Sequence, residues 1–312
     1  MRIVIALGGN AILQRGEPLE CEIQRRNIRK AASAIARIAR HHQVILTHGN
    51  GPQVGLLALM NDAYKGVSPY PLDALGAQTQ GMIGFMFEQE LRNQMPGHNI
   101  CTVSTQTLVN RNDPAFGDPD KFVGPVYNRE QADELLKAHE DWTIKADGQY
   151  FRRVVASPLP EEILELSSLQ HLISDEGITV ICGGGGGVPV TRADDGLLQN
   201  VEAVIDKDRS SRLLAEGLKA DAYLILTDVP AVATNFGHPD SKNIRCATPE
   251  AMDQFDFASG SMGPKVESVV EFVRNGGKMA AIGSLDQAAE ILTSDSGTVI
   301  RPDVAGGISY YE

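Results

Sequence analysis

Two stretches decide the fold: Arg2-Ile3-Val4-Ile5-Ala6-Leu7-Gly8-Gly9-Asn10 and Gln43-Val44-Ile45-Leu46-Thr47-His48-Gly49-Asn50-Gly51-Pro52. Each is a short apolar run with no in-out alternation, cut off by glycine and asparagine. Such runs predict strands covered on both faces. Between them, from about Cys21 to Arg40, Ile28, Ala31, Ala32, Ile35, Ile38 and Ala39 recur at helical spacing. Arg25, Arg26, Arg29, Lys30, Arg37 and Arg40 fill the remaining positions and read as the solvated face of that helix. The chain therefore opens strand, helix, strand, with a Gly-Asn turn after both strands. That order favours a parallel sheet whose ligand lies beyond the carboxyl ends of its strands.

Composition agrees. In 312 residues, 42% are hydrophobic but only 5% aromatic, so the core must rest on Val, Ile, Leu and Ala. A formal net charge of −12 argues against nucleic acid or an anionic membrane as the main partner. Cys21, Cys101, Cys182 and Cys246 lack disulfide or metal-ligand spacing. With no secretory segment or bilayer-length apolar run, the expectation is a cytoplasmic protein with reduced thiols and no structural metal.

The segment from about Arg111 to Tyr150 differs from the rest. It holds Asp113-Pro114, Asp118-Pro119-Asp120, many charges and one helical patch around Glu130 to Ala138. It reads as an excursion from the sheet, a small subdomain or lid whose sparse apolar residues imply freer motion. Regular structure is expected to resume at Arg152-Arg153-Val154-Val155-Ala156. A helix from about Ile163 to Glu176 then leads to a strand at Thr179 to Cys182 and five glycines, Gly183 to Gly187. Further on come a helix after Asp208, a strand at Ala222 to Leu226, a helix carrying Val266, Val269, Val270 and Val273, and a strand at Met279 to Ile282.

Three glycine-rich turns thus follow three predicted strands: Gly8-Gly9-Asn10, Gly49-Asn50-Gly51 and Gly183 to Gly187. Glycine lets successive N–H groups converge on an anion, and a helix opening there adds partial positive charge. Neither the P-loop pattern nor the dinucleotide Gly-x-Gly-x-x-Gly fingerprint is present, which makes a nicotinamide dehydrogenase a poor reading. Phosphoryl transfer needs neutralising charge, and an anionic acceptor needs no general base. Lys207, between Asp206 and Asp208, and Lys265, after Gly263-Pro264, sit at predicted helix starts, where a cation is disfavoured unless an anion is near. Lys121 lies in the excursion. His48 lacks a paired carboxylate or nucleophile and reads as a turn-stabilising or ligand-orienting residue.

Four blocks resemble those of carbamate kinases within the amino acid kinase superfamily. They are Ala6-Leu7-Gly8-Gly9-Asn10-Ala11, Thr47 to Gly55, Val204-Ile205-Asp206-Lys207-Asp208 and Gly260-Ser261-Met262-Gly263-Pro264-Lys265. Gln80 to Gly84, Arg153 to Pro158 and Leu226-Thr227-Asp228 add to the match. The resemblance implies an α/β fold: an open αβα sandwich with a mainly parallel sheet of about eight strands and a small protruding subdomain. It implies an acceptor lobe over 1–180, including the subdomain over 111–150, and a nucleotide lobe over 181–312. Gly8, Gly9, Asn10, Gly49, Asn50 and Gly51 would cradle the acceptor and the moving phosphate. Lys207 and Lys265 would neutralise charge, Asp208 would hold them, and Lys121 would reach the acceptor. Thr227, Asp228, Gly183 and Gly184 would line the nucleotide site.

The implied activity is Mg²⁺-dependent phosphoryl transfer between ATP and carbamate, run toward ATP in catabolism by a homodimer. Two segments depart from the family. Lys145 to Tyr150 lacks its acidic pair and arginine, and Asp120-Lys121-Phe122 replaces a Thr-Lys-Pro. They bear on acceptor identity, so a same-fold kinase for another small acid, or an idle ligand sensor, stays open.

Overall fold

The computed structural model describes residues 1–14, 16–140, 142–174, 177–258 and 261–311 of the chain. Gly260 of the fourth block and Glu176, the expected end of a helix, lie outside the described residues. Apolar runs of low aromatic content do become parallel strands. Arg2–Leu7 pairs in parallel with Gln43–His48 on one side and Ala222–Thr227 on the other. Ile178–Ile181 and Asn99–Thr102 extend the parallel sheet beyond Gln43–His48, and Met279–Ser284 extends it beyond Ala222–Thr227. Past that strand, Thr298–Ile300 runs antiparallel, and Lys242–Ala247 joins with two short edge strands. Among the described residues the sheet has ten strands, against about eight expected. The additions are the short edge pieces Ala233–Thr234 and Ile308–Tyr310.

Alternation along each strand feeds two apolar layers. Ile3, Ile5 and Leu7 enter one cluster with Ile28, Ile35 and Phe87. Val4 and Ala6 enter the other with Leu214, Val269 and Phe272. Helices Cys21–Ala39 and Leu72–Gln94 cover the first face; Lys207–Gly217 and Gly263–Arg274 cover the second. The central strands Arg2–Leu7, Gln43–His48 and Ala222–Thr227 are therefore buried on both sides, which explains their unbroken apolar runs. The helix basic residues are not idle: Arg29 pairs with Glu90, and Arg25 lies over the Phe85 ring, so they bind the neighbouring helix.

The excursion is a separate three-stranded antiparallel sheet, Lys121–Tyr127, Tyr150–Val155 and Thr143–Asp147, carrying the helix Arg129–Ala138. Its end needs correction. Arg152 to Val155 belongs to this sheet and pairs with Lys121 to Val126, so regular structure does not resume there. Asp147 and Tyr150 close a hairpin around Gly148, whose φ is 62°. The departing segment Lys145 to Tyr150 is thus a hairpin tip, not a return to the core. A second small sheet joins Gln106–Val109, Pro160–Ile163, Val188–Arg192 and Leu198–Asn200. Ile163, expected to start a helix, ends a strand there; the helix is Leu166–Leu172.

Candidate active site

Strands Arg2–Leu7 and Gln43–His48 end side by side, so their glycine turns meet. Gly49 donates its N–H to the Leu7 carbonyl at 3.1 Å, and Gly8 donates to Leu226 at 2.9 Å. A Cβ on Gly49 would stand 3.2 Å from the Gly9 nitrogen, tighter than most side-chain contacts, so glycine eases this approach. Helix Gly51–Ala63 opens at the same place. Its N-cap residue, Asn50, makes no capping hydrogen bond, because its side chain donates to Thr79 Oγ1 at 2.8 Å. The first-turn N–H groups of Gly51 and Gln53 are left to a ligand.

Lys207 and Lys265 come from the second face, at the starts of two helices that pack together. Lys207 is the first residue of Lys207–Gly217 and Lys265 the third of Gly263–Arg274. Both reach the same carboxylate: Lys207 Nζ donates to Asp208 Oδ1, and Lys265 Nζ to Asp208 Oδ2 at 2.8 Å. Burial pushes the Asp208 carboxyl up, but the charges and hydrogen bonds of the two lysines outweigh it and hold it at about 2. Burial pushes the Lys265 ammonium down; Asp208 reverses this and raises it. Asp208 and Lys265 are therefore both charged at neutral pH.

Lys121 completes the group from the subdomain, with Nζ at 3.3 Å from Asp206 Oδ2. Gly9, Gly49, Lys121, Lys207, Asp208 and Lys265 thus line one cleft of ≈ 710 Å³. Three ammonium groups face two carboxylates there, so a local positive excess sits in a protein of net charge −12. Two helix N-termini add to it.

A larger hollow of ≈ 960 Å³ lies at the opposite, amino-terminal edge, lined by Arg2, Arg40, His41, His42 and Lys219 among others. Helices Cys21–Ala39 and Leu72–Gln94 end there, so their negative poles face it and its basic residues complement them. An anion would meet those poles, which makes the carboxyl-edge cleft the better phosphate site.

Asn10 and the residues after Ala222–Thr227 form a second corner. Asn10 Nδ2 donates to Asp228 Oδ2 at 2.8 Å, and Thr227 Oγ1 to Asp228 Oδ1 at 3.0 Å. Gly183 and Gly184 do not join them. Three strand spacings separate the ends of Ile178–Ile181 and Ala222–Thr227, roughly 14 Å. Their place is against Thr47, His48 and Gln80, where added Cβ atoms would crowd those side chains. Gly183 donates to Thr105 Oγ1 at 2.8 Å, and Gly185, at φ 65°, faces Asn50. The third glycine turn therefore buttresses the second.

His48 is buried, with Nδ1 donating to the Gly49 carbonyl at 3.0 Å and its ring stacked towards Phe87. Burial, helped by the Lys207 charge, pushes it down to about 4 against the opposing pull of that hydrogen bond. It is a neutral turn-holding group. Arg152, unassigned from sequence, lines the cleft, donating to the Gly124 carbonyl at 2.9 Å and pairing with Asp147 at 3.3 Å. A charged residue inside a run of apolar strand positions was its signal.

Residues 1–284 match the model of the amino acid kinase family. A carbamate kinase of Haemophilus influenzae is 51% identical over 312 residues, covering 100% of both chains. One from Thermococcus kodakarensis is 46% identical, covering 96% of this chain and 98% of its own. The structure of carbamate kinase from Giardia lamblia bound to AMP-PNP superposes with a TM-score of 0.90 at 41% identity, covering 97% of this chain and 98% of that one.

Proposed function

The chain belongs to the amino acid kinase family and, within it, to the carbamate kinases, and from that premise we propose how its residues carry out the transfer. The activity is ATP-dependent phosphorylation of carbamate, reversibly giving ADP and carbamoyl phosphate. The observation that carries the mechanism is the convergence of Lys121, Lys207 and Lys265 on one glycine-lined cleft.

In the ATP-forming direction, a β-phosphate oxygen of ADP attacks the phosphorus of carbamoyl phosphate. The new O–P bond forms as the acyl O–P bond breaks, and carbamate leaves as an anion. No proton need move, so no general base is required. Lys207 and Lys265 neutralise charge on the moving group, with Asp208 fixing both ammonium groups before substrate arrives. Gly8, Gly9, Asn10, Gly49, Asn50 and Gly51 cradle the acyl phosphate, and Lys121 covers it from the subdomain. Thr227 and Asp228 face the nucleotide. This divides the chain into an acceptor half over 1–180 and a nucleotide half over 181–312. The boundary falls inside the strand Ile178–Ile181, so both halves share one sheet.

Mg²⁺ supplies charge neutralisation when bound with the nucleotide. Both Asp208 oxygens are held by lysines, and Asp206 serves a helix cap and Lys121. That donor set fits an ion held chiefly by phosphate oxygens and water. The ATP-forming direction is the physiological one in this reading, because carbamate forms only reversibly from ammonia and bicarbonate.

Exposed Leu59, Met60, Tyr64, Val67 and Tyr70, on and after helix Gly51–Ala63, support a homodimer. Light scattering should give twice 33.6 kDa; a monomer would end that part of the reading. Among the described residues no helix is long and apolar enough to cross a membrane, and a cytoplasmic location accords with the reduced cysteines. Fractionation of cells, with the protein outside the soluble fraction, would count against it. The deciding measurement is steady-state ATP formation from ADP, Mg²⁺ and carbamoyl phosphate. ATP no higher than background at millimolar substrate would sink the mechanism.

A further inference from the structure

Asp206 takes no part in the transfer as derived above, yet its two oxygens face different elements. Oδ1 accepts from the backbone N–H groups of Asp208 at 2.9 Å and Arg209 at 3.3 Å, capping the helix that carries Lys207. Oδ2 accepts from Lys121 Nζ, which arrives from the strand Lys121–Tyr127 of the subdomain. The carboxylate cannot swing with Lys121 without giving up its cap, so the lysine is tied to a fixed point of the cleft. The neighbouring lysines are committed to Asp208. The plainer reading is a helix cap with an incidental ion pair. A cap, however, needs one oxygen, and here the second is turned into the cleft toward a residue of another sheet.

We propose that Asp206 is a positioning residue for the acyl phosphate site. It parks Lys121 over the cleft of the empty enzyme, beside the place where the transferring phosphate sits. The Lys121 side chain is 41% exposed and the pair is long, so solvent weakens it enough for substrate to take the lysine over. This rests on the carbamate kinase reading of the same cleft.

Asp206→Asn tests it, because asparagine caps a helix about as well as aspartate but presents no charge to Lys121. The variant should lose about tenfold in kcat/KM for carbamoyl phosphate, keep its KM for ADP within about twofold and retain its Tm. In a Lys121→Ala background the same substitution should change kcat/KM by less than about twofold, since the partner is already gone. Asp206→Ser, another good cap, should repeat the result and replaces the first variant if that one misfolds. Unchanged kinetics in these capped variants would overturn the proposal. So would a loss that persists undiminished without Lys121, because Asp206 would then act through the helix. Wild-type protein that makes no ATP from carbamoyl phosphate would instead bring down the underlying reading.

Discussion

Lys207 and Lys121 carry the same ammonium group into the same cleft from opposite kinds of support. Lys207 starts a helix packed on the central sheet, its side chain 12% exposed and bound to a carboxylate that is 3% exposed. Lys121 starts a strand of a three-stranded sheet, 41% exposed and held at 3.3 Å by a carboxylate that is 17% exposed. The first arrangement is fixed before any ligand comes, as electrostatic stabilisation of a transition state demands. The second can be traded, as a cover over an entering substrate demands. The difference teaches that the centre should govern turnover and the subdomain should govern capture.

The largest expected effect tests the centre. Lys207→Ala or Lys265→Ala should lower kcat by about 10²–10³-fold with KM for both substrates changed only a few-fold, by analogy with removing one preorganised donor. Because both lysines share Asp208, the double variant should lose less than the sum of the two in free energy. Steady-state kinetics on both substrates decides this. A kcat within a few-fold of wild type in either single variant would break the comparison on its fixed side.

A second effect concerns the fixed side's weakness to acid. His48 is 1% exposed and lowered from 6.5 to about 4, so the unfolded chain binds its proton first. Stability from the neutral ring is whole above pH 6.5 and falls as pH drops from there to about 4, by about 3 kcal/mol. Asp208, lowered from 3.8 to about 2, keeps its contribution through that window and loses it only below pH 3.8. Urea midpoints measured between pH 7 and 4 should therefore fall for wild type and flatten in His48→Asn, which keeps a donor for the Gly49 carbonyl. The same slope in both proteins would return His48 to an unperturbed group.

How much of this was legible beforehand follows from what is local. Arg2–Leu7, Gln43–His48 and the helix Cys21–Ala39 could be read because burial on one or both faces writes itself into neighbouring residues. The small sheet of Gln106–Val109, Pro160–Ile163, Val188–Arg192 and Leu198–Asn200 could not, since its strands are short and partly exposed, and Gln106–Val109 finds both its partners across long separations. Arg152 to Val155 looked like a resumed core strand because its apolar half does pack, against Val54 and Val123. In the site, three glycine turns after three strands looked alike, and only strand order separates the pair at Gly8 and Gly49 from the buttress at Gly183. The Asp-Lys-Asp run names two carboxylates without saying which lysine each would meet.

The smallest expected effect tests the movable side. Lys121→Ala removes a partly exposed cation of the cleft that the proposed mechanism sets over the acceptor, so it should raise KM for carbamoyl phosphate about tenfold and leave KM for ADP within about twofold. The subdomain it stands on has its own sheet, but it is not adrift: Val123 and Val155 pack with Val54, Leu72 and Leu75 in a small apolar cluster. Motion should therefore be graded. The hairpin around Gly148 and the helix Arg129–Ala138 should exchange amide hydrogens fastest, the Val123 and Val155 segments more slowly, and the central strands slowest. Carbamoyl phosphate with ADP should slow the first two in wild type, and do so less in Lys121→Ala, because the lysine couples cover to ligand. Exchange as slow as the core in the empty enzyme would end the idea of a movable cover. Equal losses for both substrates in Lys121→Ala would show that the subdomain supports the whole cleft rather than its acceptor end, and the contrast with Lys207 would shrink to one of exposure alone.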